Sequence, residues 1–235
     1  MTEPTPIVLV PGLLCSPLLY ANQIPALWQF GPVMVADHRR DESMDAIAGR
    51  ILAAAPPRFA LAGLSMGGYI SYAIMRAAPE RVTRLALLDT GSRADLPEQS
   101  ERRKAQMELA RSGRFAELPE FFWPLFVHKD RQGDAALKKI IVQMAEQTGP
   151  DAFIRQQTAI MTRPDSRPDL PKIKCPTLVL VGEADQLTPP KLSEEIASGI
   201  PNSRLVTIPD SGHLSTLERP DAVNKALAEW MTWNE

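Results

Sequence analysis

A serine pinned between glycines, where an apolar run passes into a helical one, constrains this chain more than any other feature. In Ala62-Gly63-Leu64-Ser65-Met66-Gly67-Gly68, the preceding Phe59-Ala60-Leu61-Ala62 reads as a buried strand and the following Tyr69 to Met75 as a packed helix. A strand that turns abruptly into a helix strains the residue at the junction, and only small flanking residues let the two elements approach. Gly63, Gly67 and Gly68 meet that demand. The spacing Gly63-x-Ser65-x-Gly67 is that of a nucleophile elbow, which lifts the hydroxyl clear of the sheet above a helix amino terminus. Ser65 is therefore read as a nucleophile.

The rest of the chain supplies a core large enough to hold such a turn. At 235 residues and 44% hydrophobic content it fits one large α/β domain or two small ones, and a net charge of −2 lacks the basic surplus of a nucleic-acid or anionic-membrane binder. The expected partner is a small molecule, with no metal and no cofactor. Cys15 and Cys175 stand far apart in no metal or redox spacing and read as buried free thiols. The apolar stretch Ile7 to Tyr20 follows an acidic start without basic residues and is broken by Pro11-Gly12, so it does not read as a signal core. A cytoplasmic location is expected.

Strands and helices alternate along the chain. Ile7-Val8-Leu9-Val10 reads as a central parallel strand closed by a turn. A helix is expected within Ser16 to Trp28, a strand within Pro32 to Asp37, and a helix over Ser43 to Ala55 with Ser43 as cap. The elbow strand, its helix and a strand ending at Asp89 follow. From Gly91 to about Leu170 no strand-like run occurs, and helices are predicted over Glu98–Ser112, Arg114–Phe126, Asp134–Gln147 and Pro150–Met161. The division is then a core of residues 1–90 and 171–235 with a helical cap of residues 91–170. The second cap helix gathers Phe115, Phe121, Phe122, Trp123 and Phe126, which suits the apolar roof of a pocket; Leu14, Phe122, Trp123 and Phe126 are the candidate pocket residues. The cap's basic residues, Arg102, Arg103, Lys104, Arg111 and Arg114, read as solvated helical faces. A strand over Pro176–Gly182, a helix over Pro190–Ser198, a strand over Arg204–Ile208 and a helix over Pro220–Trp233 complete the pattern.

An activated serine needs a histidine base, and the base needs a carboxylate to fix its tautomer. Of the three histidines, His213 follows the last strand, where it can reach across the carboxyl edge of a parallel sheet. His38 reads as a surface or supporting residue, and His128, inside the insertion, as structural. Asp185 follows a strand on the same edge; Asp89 offers the same position one strand earlier and is the alternative.

These residues together resemble the α/β-hydrolase superfamily, in its branch of small serine esterases with a helical cap. The order Ser65, Asp185, His213 is the family's order of nucleophile, acid and base. Gly182-Glu183-Ala184-Asp185-Gln186-Leu187-Thr188-Pro189 is similar to its acid loop, and Ser211-Gly212-His213 with Glu218-Arg219-Pro220 to its base loop. The resemblance implies an α/β-hydrolase fold: a mainly parallel sheet of about six strands flanked by helices, short of the family's usual amino-terminal hairpin, with an all-helical cap insertion. The family's oxyanion loop usually begins His-Gly, whereas this one reads Pro11-Gly12-Leu13-Leu14. Backbone N–H groups of Leu13 and Met66 are the expected oxyanion donors, with Leu14 as the alternative to Leu13. The implied activity is hydrolysis of carboxylic esters with small to medium, largely apolar acyl groups through an acyl-enzyme. Lactone, thioester and carbon–carbon cleavage stay open because they share the triad, and a non-catalytic ligand sensor on the same fold is the alternative of another class.

Overall fold

The computed structural model describes residues 4–233 and shows a six-stranded, wholly parallel sheet in the order β2-β1-β3-β4-β5-β6. The strands are β1 (Ile7–Val10), β2 (Val33–Val35), β3 (Phe59–Leu64), β4 (Val82–Leu88), β5 (Thr177–Gly182) and β6 (Ser203–Ile208). β1, β3 and β5 are buried along their whole length, as continuous apolar runs covered on both faces must be, whereas the edge strands β2 and β6 are partly exposed. The helices are α1 (Gln23–Leu27), α2 (Met44–Ala54), α3 (Met66–Ala77), α4 (Pro97–Arg111), α5 (Leu118–Phe126), α6 (Ala135–Thr148), α7 (Pro150–Met161), α8 (Pro190–Gly199), α9 (Ser215–Glu218) and α10 (Pro220–Thr232).

Most expected elements are present, with shifts at proline. The helix expected within Ser16 to Trp28 is broken into the 3₁₀ turn Pro17–Tyr20, the short α1 and the 3₁₀ turn Trp28–Phe30. Pro17 and Pro25 lack the N–H that a longer run would need. The helix expected over Arg114–Phe126 begins as the 3₁₀ turn Phe115–Glu117 and restarts as α5, with Pro119 in its first turn, where the missing donor is harmless. The thiol reading holds for Cys15, which is buried and whose pKa is pushed up to about 12 by burial, while Cys175 is only half-buried. Among the described residues no helix is long and apolar enough to cross a membrane.

Two features of the sheet position everything that follows. β1 pairs with β2 on one side and β3 on the other, so the chain leaves the carboxyl ends of β1 and β3 in opposite directions and opens a crevice between them. Past the strand ends the ladder continues into the loops: Ser65 N–H donates to Leu88 O (2.9 Å), Asp89 N–H to Leu180 O (2.8 Å), and Glu183 N–H to Ile208 O (2.9 Å). Helices α4 to α7 lie between β4 and β5 in the chain.

Candidate functional site

Ser65 stands where β3 becomes α3, with φ 55° and ψ −114°, a backbone conformation a side-chain-bearing residue rarely adopts. Its surroundings hold it there. Its own N–H is bonded to Leu88 O, and its carbonyl accepts from Thr90 Oγ1 (2.8 Å) and Gly68 N–H (2.9 Å). A Cβ on Gly67 would fall against the Val10 carbonyl oxygen, and one on Gly63 against the Gly67 carbonyl, so the close approach of β1, β3 and α3 requires hydrogen at both positions.

His213 Nε2 lies 2.9 Å from Ser65 Oγ, and His213 Nδ1 lies 2.8 Å from Asp185 Oδ2. The three residues expected to act together are thus joined in sequence by hydrogen-bond distances, from loops after β3, β5 and β6. Asp185 is buried and fully engaged. Its Oδ1 accepts from Leu187 N–H (2.9 Å) and Thr188 N–H (3.0 Å), and its Oδ2 from Thr188 Oγ1 (2.7 Å) as well as from His213. These bonds leave the carboxylate one orientation. Burial alone would push the His213 imidazole down, but the charge and hydrogen bond of Asp185 outweigh it and raise its pKa above 6.5.

Asp89, the alternative acid, sits elsewhere in the network. Its Oδ1 accepts from Gly182 N–H (2.8 Å), and its other oxygen is bonded to Ser215 Oγ. It is fully buried, and burial, reinforced by the charge of Asp185, pushes its carboxyl up to about 8. Burial thus favours the protonated form of Asp89, and the carboxylate in contact with His213 is that of Asp185.

The loop after β1 turns at Gly12, whose carbonyl accepts from Cys15 N–H (3.2 Å), and Leu14 takes φ 61°. Leu14 N–H donates to Gln156 Oε1 (3.3 Å), while Leu13 N–H has no hydrogen-bond partner among the described residues. Met66 N–H opens α3 and is one of the donors that a helix start leaves without an intrahelical acceptor. His38 is buried rather than on the surface. Its Nε2 lies 2.9 Å from Gly12 O and 3.0 Å from Gln156 Nε2. Carrying its proton on Nε2 it donates to Gly12 O, and the Gln156 nitrogen is then a contact without a hydrogen bond. Burial lowers the His38 pKa to about 4, so the ring is neutral at physiological pH. Gln156, on α7, was missed by sequence reasoning because it lies 142 residues from the loop it holds.

Glu218 was noted only as part of a motif, and its role is more specific. Its two carboxylate oxygens accept from Gly212 N–H (2.7 Å) and from His128 N–H (2.7 Å), tying the loop of His213 to the chain just after α5. Burial raises its pKa. His128 itself accepts from Asp130 N–H (3.3 Å) in a turn, a structural placement.

Ser65, His213 and Leu13 line a cavity of about 450 Å³. One wall is aromatic: Phe126 stacks on the His213 ring (centroids 5.9 Å apart), Phe122 stacks on Phe126 (5.2 Å), and Phe121 meets Phe122 edge-on (5.3 Å). Leu14 and Trp123 do not line the cavity, contrary to expectation. Leu14 is turned by its positive φ into the core, and Trp123 directs its indole N–H to Gln132 O (3.1 Å) with Lys138 above its ring, on the side of α5 packed against α6. α4 supplies another part of the lining. Arg102 and Arg103, read from sequence as solvated, both line the cavity, Arg102 exposed as expected and Arg103 half-buried, whereas Lys104, Arg111 and Arg114 do not line it. Among the described residues no three or more His, Cys, Asp or Glu side chains converge as metal ligands would.

Known proteins agree with this architecture. Residues 7–226 match the model of the alpha/beta hydrolase family. The chain is 34% identical over 185 residues to a Mycobacterium tuberculosis protein assigned as a non-heme bromoperoxidase, covering 75% of this chain and 68% of that one. It superposes on a thermophilic esterase from Thermogutta terrifontis with a TM-score of 0.89 at 31% identity, covering 97% of this chain and 89% of the esterase. An enol-lactonase from Burkholderia xenovorans gives a TM-score of 0.90 at 26% identity, covering 98% and 92%. These coverages span sheet, loops and insertion alike, and the protein belongs to the alpha/beta hydrolase family.

Proposed function

We propose that this hydrolase cleaves carboxylic esters through an acyl-enzyme on Ser65. The observation that carries the reading is the unbroken chain of contacts from Ser65 Oγ through His213 to Asp185, with the serine held on a strained turn at the floor of a cavity. His213 Nε2 takes the hydroxyl proton as Ser65 attacks the acyl carbon, and Asp185 holds Nδ1–H and balances the imidazolium that forms. The oxyanion forms against the N–H groups of Met66 and Leu13. Leu13 is preferred to Leu14 because the Leu14 N–H is already committed to Gln156. Collapse of the intermediate passes the proton from His213 to the departing alkoxide, and water activated by the same nitrogen then releases the acid.

Residues 91–170 act as a cap, with the Phe121, Phe122 and Phe126 face of α5 receiving the apolar part of the substrate. The substrate is a small molecule, and the protein works in the cytoplasm. Lactone opening uses the same groups, and the likeness to an enol-lactonase keeps cyclic esters among the substrates to be screened. Replacing Ser65 by alanine should reduce hydrolysis of short p-nitrophenyl esters by ~10⁴-fold or more with the circular dichroism spectrum unchanged. Hydrolysis undiminished in Ser65→Ala would remove the proposal.

A further inference from the structure

The part of the cavity lining that α4 supplies is polar and charged. Gln99, Arg102, Arg103 and Gln106 of α4 all line the cavity, and their spacing of i, i+3, i+4 and i+7 makes them one face of the helix. The residues α4 buries are Gln106, Met107 and Ala110, and beside them the side chains that meet the cavity are polar or cationic, Gln99 and Arg103 half-buried and Arg102 exposed.

The charges on this wall do not cancel. Four guanidinium groups line the cavity, those of Arg93, Arg102, Arg103 and Arg163, and no aspartate or glutamate does. Their counter-ions lie behind the lining. Asp95, whose side chain is 1% exposed, accepts from both Arg103 (2.8 Å) and Arg163 (2.6 Å), and Glu195 pairs with Arg93 (2.8 Å). Two carboxylates thus face four cations, leaving a surplus of two positive charges. Arg103 is further tied to Gln157 Oε1 (2.8 Å), and Arg163 donates to Ile160 O (2.8 Å) and lies over the Tyr69 ring, so both are held as fixed parts of the wall.

Arg102 differs from them. It has no hydrogen-bond or ion-pair partner among the described residues. Cations elsewhere on α4 are paired, Lys104 with Glu101 (2.7 Å) and Arg111 with Glu108 (3.8 Å). An unpaired planar guanidinium beside a fixed positive wall is suited to a carboxylate, which it can grip with two parallel N–H bonds.

We infer that the substrate of this site carries a second, free carboxylate, and that Arg102 is the specificity-determining residue that meets it. The inference rests on the ester-hydrolase reading and adds the substrate class: a half-ester of a dicarboxylic acid, or a lactone bearing a carboxylate. The apolar stem of the molecule lies along the Phe122 and Phe126 side while the charged end is drawn to α4. The surplus charge also concentrates such anions at the mouth, an effect that salt weakens.

The test separates this inference from the chemistry it builds on. Binding of methyl hydrogen adipate and of dimethyl adipate is measured by calorimetry on the Ser65→Ala protein, and kcat/KM for the same pair on the intact enzyme. The half-ester is expected to bind about tenfold or more tightly than the neutral diester, with a preference that shrinks as salt is raised. Arg102→Met should bring the ratio near one, Arg102→Glu should invert it, and Arg102→Lys should restore part of it. Lys104→Met, on the outer side of α4, should leave the ratio as it was. Equal affinity for the two esters, no measurable binding of either, or a preference that survives Arg102→Met overturns the inference. Failure of the nucleophile assignment shows itself separately, as ester hydrolysis by the Ser65→Ala protein.

Discussion

The carboxyl edge of the sheet and the helical segment between β4 and β5 form two sides of one cavity, but different forces hold them. At the sheet edge, loops of a few residues are clamped by continuation of the strand ladder and by bonds within each loop, such as the four accepted by Asp185. In the helical segment, α4, α5 and α7 are placed by packing and by polar bonds between residues far apart in sequence, as in the hydrogen bond of Arg103 to Gln157 and the ion pair of Arg163 with Asp95. The edge is local and rigid, and suits chemistry that tolerates little misplacement. The helical side lines the cavity while touching the edge at a few points, through Phe126, Gln156 and the bond of His128 N–H to Glu218, and suits the choice of substrate.

The largest effect that can break this contrast lies at the edge. Asp185→Asn should lower kcat by ~10⁴-fold, because an amide cannot hold the His213 tautomer or balance its charge. Asp89→Asn should leave turnover close to that of the parent, since Asp89 is bonded to Gly182 N–H and Ser215 Oγ rather than to His213. Were the two outcomes exchanged, the acid would be Asp89. The acid limb of the kcat/KM profile should lie above pH 6.5, following the raised pKa of the His213 base, which must be neutral to act.

A smaller effect is expected where the two regions touch. Gln156→Leu removes the acceptor that α7 offers to Leu14 N–H and should lower kcat about tenfold, less than the ~10²–10³ of an outright lost oxyanion donor, with KM little changed. An effect confined to KM would place Gln156 in substrate binding instead.

Asp89→Asn should also act on stability. The folded-state pKa of Asp89, about 8, lies far above the ~3.9 of an unfolded aspartate, so its contribution is complete below the unfolded value and is lost as pH rises through the folded one. Between those limits the parent should lose about 1.4 kcal/mol per pH unit from this group relative to the variant. Denaturant titrations at several pH values check it; parallel curves would show that Asp89 is charged in the folded protein. The smallest change is expected at Trp123, where phenylalanine should alter stability modestly and leave substrate preference untouched, because the ring faces α6 rather than the cavity. A shifted ester preference in Trp123→Phe would contradict that placement.

How much of this was legible in the chain follows the same division. The elbow, the acid loop and the base loop are short motifs whose demands are met within a few residues, so Ser65, Asp185 and His213 could be named from their spacing and from the strands that precede them. The bond that occupies Leu14 N–H could not, since its acceptor lies 142 positions away. Phe122 and Phe126 were picked out with Trp123 on composition alone, and the orientation of α5 separated them. Arg102 was set aside with its basic neighbours because a charged helix reads alike whether it faces solvent or a cavity.

Local backbone chemistry therefore determined what could be read from sequence: a parallel sheet of apolar runs, a turn that needs glycine two residues to either side of its serine, and the order in which acid and base follow. Tertiary structure alone decided which face of each helix between β4 and β5 meets the cavity, which carboxylate touches His213 and which lining arginine is left without a partner among the described residues. Those outcomes depend on burial and on distances between residues remote in the chain, and neither quantity exists until the helices have packed onto the sheet.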